Sequence, residues 1–234
     1  MTKYNKYTQF KTVDIKQRDW PNNSLNKCPI WCSVDLRDGN QALAETMDSD
    51  RKMKFFKKLI EVGYKEIEVG FPSASDTDFN FIRELINDGH IPDDVTIQVL
   101  TQSREELIIK TIDSLKGSKN AIIHLYNSTS TLQRKVVFKE DMNGVKKIAT
   151  DGAKIISDNI GILNNTNVRL EYSPESFTGT ELPYALEVCE EVLDVWEANE
   201  LKPVIINLPA TVEMSSPNIY ADQIEWMSKS FSDR

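Results

Sequence analysis

The chain has 234 residues, enough for one large domain with a sizeable core. Its 28 basic and 36 acidic residues leave a net charge of -8, which argues against the basic face of a general nucleic-acid or anionic-membrane binder. Hydrophobic residues at 40% with charged residues at 27% make an ordinary globular composition, and no run approaches the roughly 18 apolar residues of a membrane-spanning helix.

In chain order, residues 1–29 form a polar arm without an apolar signal core. Cys28, Cys32 and Cys189 make no even disulfide framework, and no second Cys or His pair completes a zinc site at Cys28 and Cys32, so reduced thiols in a cytoplasmic setting are expected. Apolar, β-rich runs then recur at 30–36, 66–69, 95–100, 121–125, 168–172 and 204–208. Helical patterns fall between and after them. The spacing of Met53, Phe56, Leu59 and Ile60 predicts a helix over 50–62, with Gly63 as its C-cap. Others are predicted over 79–87, from Ser103 (a cap answered by Glu106), over 143–159, 183–199 and 220–230. Lys52, Lys54, Lys57 and Lys58 read as a solvated helix face.

Six strand–helix units predict a parallel α/β sheet in one domain over 30–234. A (β/α)8 TIM barrel is favoured over a doubly wound sheet. No G-x-G-x-x-G follows the first strand, and polar residues follow essentially every strand rather than gathering at one switch point. A barrel collects such strand ends around one mouth. Six units are two short of closure, so a barrel truncated after about six βα units is the expectation.

The strand-end residues have definite chemistry. Asp38 offers a hard oxygen ligand for a divalent metal, and Arg37 a fixed cation for a developing enolate or alkoxide; a structural Arg–Asp pair is the alternative. His124 ends an apolar run and reads either as a hydrogen-bonded core residue or as a site residue. Glu171 and Glu175 flank Ser173 and can orient a substrate or a base. Asn207 and Thr211 bracket Leu208-Pro209-Ala210, a plausible carboxylate cradle.

The strings LRDGNQAL, EVGFPSASDTDF, HLYNSTSTLQR, EYSPESFTGTE and NLPATVE, in this order, resemble the 2-isopropylmalate synthase family of DRE-type TIM metallolyases. The resemblance runs from about Trp20 to the end. It implies a Claisen-type condensation of acetyl-CoA with 2-oxoisovalerate, followed by thioester hydrolysis, in leucine biosynthesis. By position it implies Asp38 as a metal ligand for Zn, Mg or Mn and Arg37 as stabiliser of the developing oxygen charge. Glu175 becomes an active-site glutamate. His124, Ser173, Asn207 and Thr211 surround the oxo-acid, and Gln41 belongs to the same signature. Acetyl-CoA is the implied co-substrate, and a homodimer the implied full-length assembly, with neither nucleic acid nor membrane as partner.

One departure stands out. The family's H-x-H metal ligands are absent, since His90 and His124 are the sole histidines. The expectation is that they, the last strands and a C-terminal regulatory domain lie beyond Arg234. Citramalate or homocitrate synthases are the nearest alternatives, and a catalytically silent half-barrel that needs a partner chain is another.

Overall fold

The computed structural model describes residues 10–232. The first nine residues of the expected arm lie outside them. The strands are β1 (Cys32–Ser33), β2 (Glu66–Gly70), β3 (Thr96–Gln102), β4 (Asn120–Ser128), β5 (Asn167–Glu175) and β6 (Val204–Ile206). The helices are α1 (Ser49–Val62), α2 (Asp76–Asn87), α3 (Glu105–Ser114), the short α4 (Thr131–Gln133), α5 (Met142–Asn159), α6 (Leu182–Trp196) and α7 (Pro217–Ser230). The strands pair in sequence order, β1 to β6, and every pair is parallel.

The sheet curls. In a flat sheet β2 and β5, three positions apart, would stand about 14 Å from each other. Yet Arg169 on β5 makes a direct ion pair with Glu66 on β2. Only a concave face brings such side chains together, so the sheet is the six-strand arc of the expected (β/α)8 barrel.

Strand alternation sorts the two faces. The convex face carries Ile67, Val69, Ile97, Val99, Ile123, Leu125, Leu170 and Tyr172, which join Phe56, Phe81, Ile108, Ile156, Val188 and Trp196 of the helices in one buried core. The concave face carries Glu66, Glu68, Gln98, His124, Arg169, Glu171 and Ser173. A polar barrel interior is costly to fold unless its groups pair.

Local chemistry sets the boundaries. The Asp48 carboxylate caps α1 by accepting from the Arg51 amide, and Gly63 ends it at φ 110°, a left-handed conformation that suits glycine. The α2 helix begins three residues earlier than its apolar pattern predicts, because Ser75 caps the Asp78 amide. Ser103 does not cap α3. Its hydroxyl donates instead to the Ile148 carbonyl on α5, and a Cβ at Gly152 would collide with that hydroxyl oxygen.

Lys52 is not solvated. It is fully buried, pairs with Asp78, and lies 5.5 Å from the centroid of the Phe81 ring. The segment before β1 docks on the last helix: Arg18 donates to both Asp222 oxygens at 2.7 and 2.9 Å, and Trp20 Nε1 donates to Asp222 at 2.9 Å. Among the described residues, no helix is long and apolar enough to cross a membrane.

Candidate active site

The run 30–36 is strand only at Cys32–Ser33. The chain then enters a five-residue π-type turn, Asp35–Gly39, in which the amides of Arg37, Asp38 and Gly39 converge on the Val34 carbonyl at 3.2, 2.8 and 3.1 Å. Leu36 is buried completely and anchors the turn to the core. Arg37 and Asp38 therefore do not alternate as strand residues would. Both reach the barrel mouth, where Arg37 Nη1 donates to Asp38 Oδ1 at 2.7 Å and Gln41 Nε2 donates to the same oxygen at 2.8 Å.

From Arg37 a hydrogen-bonded chain crosses the concave face. Arg37 Nε donates to Glu68. The other Glu68 oxygen lies 2.6 Å from His124 Nδ1 and accepts from Gln98 Nε2 at 2.7 Å. His124 Nε2 lies 2.7 Å from Ser173 Oγ, which also accepts from Asn207 Nδ2 at 2.8 Å. Residues from beside β1, β2, β3, β4, β5 and beside β6 are tied in one network, all on the interior side.

The network floors a cleft of about 720 Å³ at the C-terminal strand ends. Arg37, Asp38, Gln41, His124, Ser173, Glu175, Asn207 and Thr211 all line it, so the eight residues singled out from the sequence come together. Val34, Phe71 and Leu100 give it an apolar wall, and Tyr126 borders it with its ring edge-on to Phe71. Glu175 accepts from Ser128 Oγ, and the Thr211 hydroxyl accepts from the Ser176 amide at 3.0 Å. Ser176 takes a left-handed backbone (φ 58°), which turns the chain sharply after Glu175.

Electrostatics divide the carboxylates. Burial alone would raise Glu68, but hydrogen bonds from His124 and Gln98 and the charges of His124 and Arg37 outweigh it and hold the carboxyl at about 2. Glu171, one turn of the pleat below Ser173, is pushed up to about 7 by burial, with the charges of Glu68 and Glu66 adding to the rise and His124 opposing it. Burial opposes the charge on His124, yet the Glu68 bond and the charges of Glu171 and Glu68 raise it above 6.5.

Glu68 and Gln98 were not among the residues singled out. The signal was there in EIEVG, a strand with carboxylates at alternate positions between apolar residues, as a polar barrel interior requires.

A divalent ion is implied by the sequence motifs. Asp38 faces the cleft and is half exposed, but among the described residues no three His, Cys, Asp or Glu side chains are grouped to hold a metal. The described residues thus supply one candidate ligand and not a complete site.

Known proteins place this geometry. The 2-isopropylmalate synthase of Parafrankia sp. (strain EAN1pec) is 62% identical over 230 residues, covering 98% of this chain and 41% of that protein. Those of Clostridium acetobutylicum and Pseudomonas putida (strain GB-1) are 57% and 55% identical, again over 98–99% of this chain and 41–42% of theirs. The chain spans about two fifths of the length of these curated relatives. Among solved structures, the HMG-CoA lyase of Bacillus subtilis matches with a TM-score of 0.59 at 15% identity, over 86% of this chain and 65% of that one. An HMG-CoA lyase from Acinetobacter baumannii, solved with coenzyme A and 3-methylmalate, matches at 0.53 and 13%, over 82% of this chain and 70% of that one. Those likenesses concern the fold, and they agree with the curled parallel arc. The HMGL-like family pattern matches residues 28–234, from just before β1 through α7, and so takes in all six strands and the whole cleft. The chain belongs to the HMGL-like family.

Proposed function

We propose that this chain carries the oxo-acid-binding part of a 2-isopropylmalate synthase, which condenses acetyl-CoA with 2-oxoisovalerate and releases free CoA on thioester hydrolysis. The observation that supports this most is the convergence of eight motif residues on one cleft, floored by the Arg37–Glu68–His124–Ser173–Asn207 chain.

Each residue has a task within that reading. Arg37, braced by Glu68, presents its remaining guanidinium donors to the oxygen that gains charge as the acetyl enolate adds to the ketone. Ser173, Asn207 and Thr211 surround the oxo-acid carboxylate, and His124 orients Ser173 from below. Glu175, held by Ser128, positions or activates substrate at the rim. Val34, Phe71 and Leu100 offer apolar surface to a branched alkyl group. Asp38, steadied by Gln41, is the one metal ligand assigned among the described residues; a divalent ion held there would polarise the ketone. The three free thiols suit a reducing cytoplasm, and a homodimer is proposed for the full-length enzyme.

The test is release of free thiol from acetyl-CoA by the enzyme that contains this sequence, offered 2-oxoisovalerate, pyruvate and 2-oxoglutarate in turn. Preference for 2-oxoisovalerate is expected; preference for pyruvate would assign a citramalate synthase instead. The 234-residue chain alone is expected to show no metal-dependent turnover, because Asp38 has no grouped co-ligands here.

A further inference from the structure

Directly beneath the cleft, one histidine stands between two carboxylates. His124, 4% exposed, places Nδ1 2.6 Å from Glu68, and Nε2 both 2.7 Å from Ser173 Oγ and 3.4 Å from Glu171 Oε1. Glu171 is buried and has no task in the scheme above. The charged groups that face this ring are Glu68 from β2, Glu171 from β5 and Arg37 from the turn after β1. Glu66 and Arg169 lie one layer deeper and pair with each other. Cys32 and Tyr126 flank the layer as neutral groups, because burial holds the thiol at about 12 and raises the phenol above its usual value. Two carboxylates against one guanidinium leave a negative excess that a single imidazolium proton would neutralise.

We propose that Glu171 is a positioning residue: together with Glu68 it keeps both ring nitrogens of His124 protonated, and so turns the Ser173 hydroxyl hydrogen into the cleft. The argument is a count of hydrogens. A serine hydroxyl has two acceptor sites and one donor. Asn207 Nδ2 fills one acceptor site. A protonated Nε2 fills the second, and the hydroxyl hydrogen is left to point at a ligand oxygen. A bare Nε2 would take that hydrogen instead, and the cleft would meet only a lone pair. Protonation of the layer below therefore decides which chemistry the floor accepts: a keto or carboxylate oxygen in the first case, a hydroxyl or amine donor in the second. Which oxygen is bound rests on the oxo-acid reading; the protonation state does not. The charge balance agrees in direction: burial and the neighbouring carboxylates raise Glu171 to about 7, so its negative charge grows through the range in which an ordinary histidine loses its proton.

The two histidines of the sequence make the test direct. Ring-nitrogen chemical shifts of the ¹⁵N-histidine-labelled 234-residue chain are followed against pH, with His90, in the loop after α2, as the second signal. In the unsubstituted chain both His124 ring nitrogens are expected to be protonated at pH 7, with the midpoint raised from that of an ordinary histidine. Glu171→Gln should move that midpoint to lower pH, while Glu187→Gln, on the exposed face of α6, should leave it in place. A neutral His124 at pH 7 in the unsubstituted chain would overturn the proposal, whatever the fate of the variant. So would a midpoint that Glu171→Gln does not move in a folded chain. Binding of 2-oxoisovalerate, followed by calorimetry in parallel, separates this from the functional reading: a protonated His124 responsive to Glu171→Gln in a chain that binds no 2-oxo acid upholds the positioning role and rejects the substrate.

Discussion

His124 Nδ1 stands 2.6 Å from Glu68 Oε2, and both side chains are shut off from solvent. The same carboxylate receives Arg37 Nε on its other oxygen. One buried charge thus braces the arginine of the mouth and the histidine of the floor, which reach it from opposite sides. Glu68→Gln removes that charge and leaves Arg37 with Asp38 alone and His124 with Glu171 alone as counter-ion. A loss of about 3 kcal/mol in unfolding free energy is expected, the usual cost of breaking a buried pair on one side, read by urea titration.

Acid and alkali act on different carboxylates. Glu68 is depressed from 4.5 to about 2, so its contribution is present above 4.5 and lost as pH falls towards 2. Glu171 is raised from 4.5 to about 7, so its burial is tolerated below 4.5 and costs stability as pH rises through 7. Each displacement corresponds to roughly 3 kcal/mol at full extent. Thermal melting is expected to peak between these limits, and Glu171→Gln should flatten the alkaline arm while the acid arm remains.

Asp78 joins three elements. Its carboxylate pairs with buried Lys52 of α1, accepts from the Phe71 amide at 2.8 Å, and lies so near Gly70 that a Cβ there would sit 2.8 Å from its Cγ. Asp78→Ala strands a buried ammonium and should cost about 3–5 kcal/mol. Gly70→Ala forces the carboxylate aside and should be similarly disruptive to the Phe71 wall of the cleft. The double variant Lys52→Met with Asp78→Asn should recover most of the loss, measured as the denaturation midpoint.

Arg37→Lys keeps a positive charge but loses the fork that spans Glu68 and Asp38. If the proposed condensation is the activity, thiol release should fall about 10²-fold in kcat, in line with loss of one oriented donor to a developing oxyanion. An unchanged kcat would remove Arg37 from that role.

The fold was legible because its signals are periodic. Apolar runs at regular intervals marked β2 to β6, and Gly63 marked the end of the first helix, whereas the Ser75 cap that starts the second three residues early was not read. Most of the cleft residues were legible as polar strand ends, which in a barrel share one mouth, but Gln41 and the narrowing to these eight came from the resemblance of the motifs. What escaped was set by partners far along the chain. Lys52 looks solvated until Asp78, 26 residues on, folds back over it, and Ser103 looks like a cap until Ile148 offers a carbonyl. Glu68 and Gln98 sit within strands whose apolar neighbours drew attention to the convex face; strand pairing sets Gln98 beside His124, and Glu68 reaches it from one strand further across the concave face.

Arg18 meets Asp222 across 204 positions of sequence, and Trp20 joins it from 202 away. During synthesis the N-terminal segment emerges first, yet its docking surface on α7 is made only after all six strand–helix units. Closing so long a loop gains nothing until the intervening units have condensed, so this contact forms late among the described elements. The segment before β1 thereby reports on the arc: the bonds from Arg18 and Trp20 to Asp222 can form only once β6 and α7 are in place.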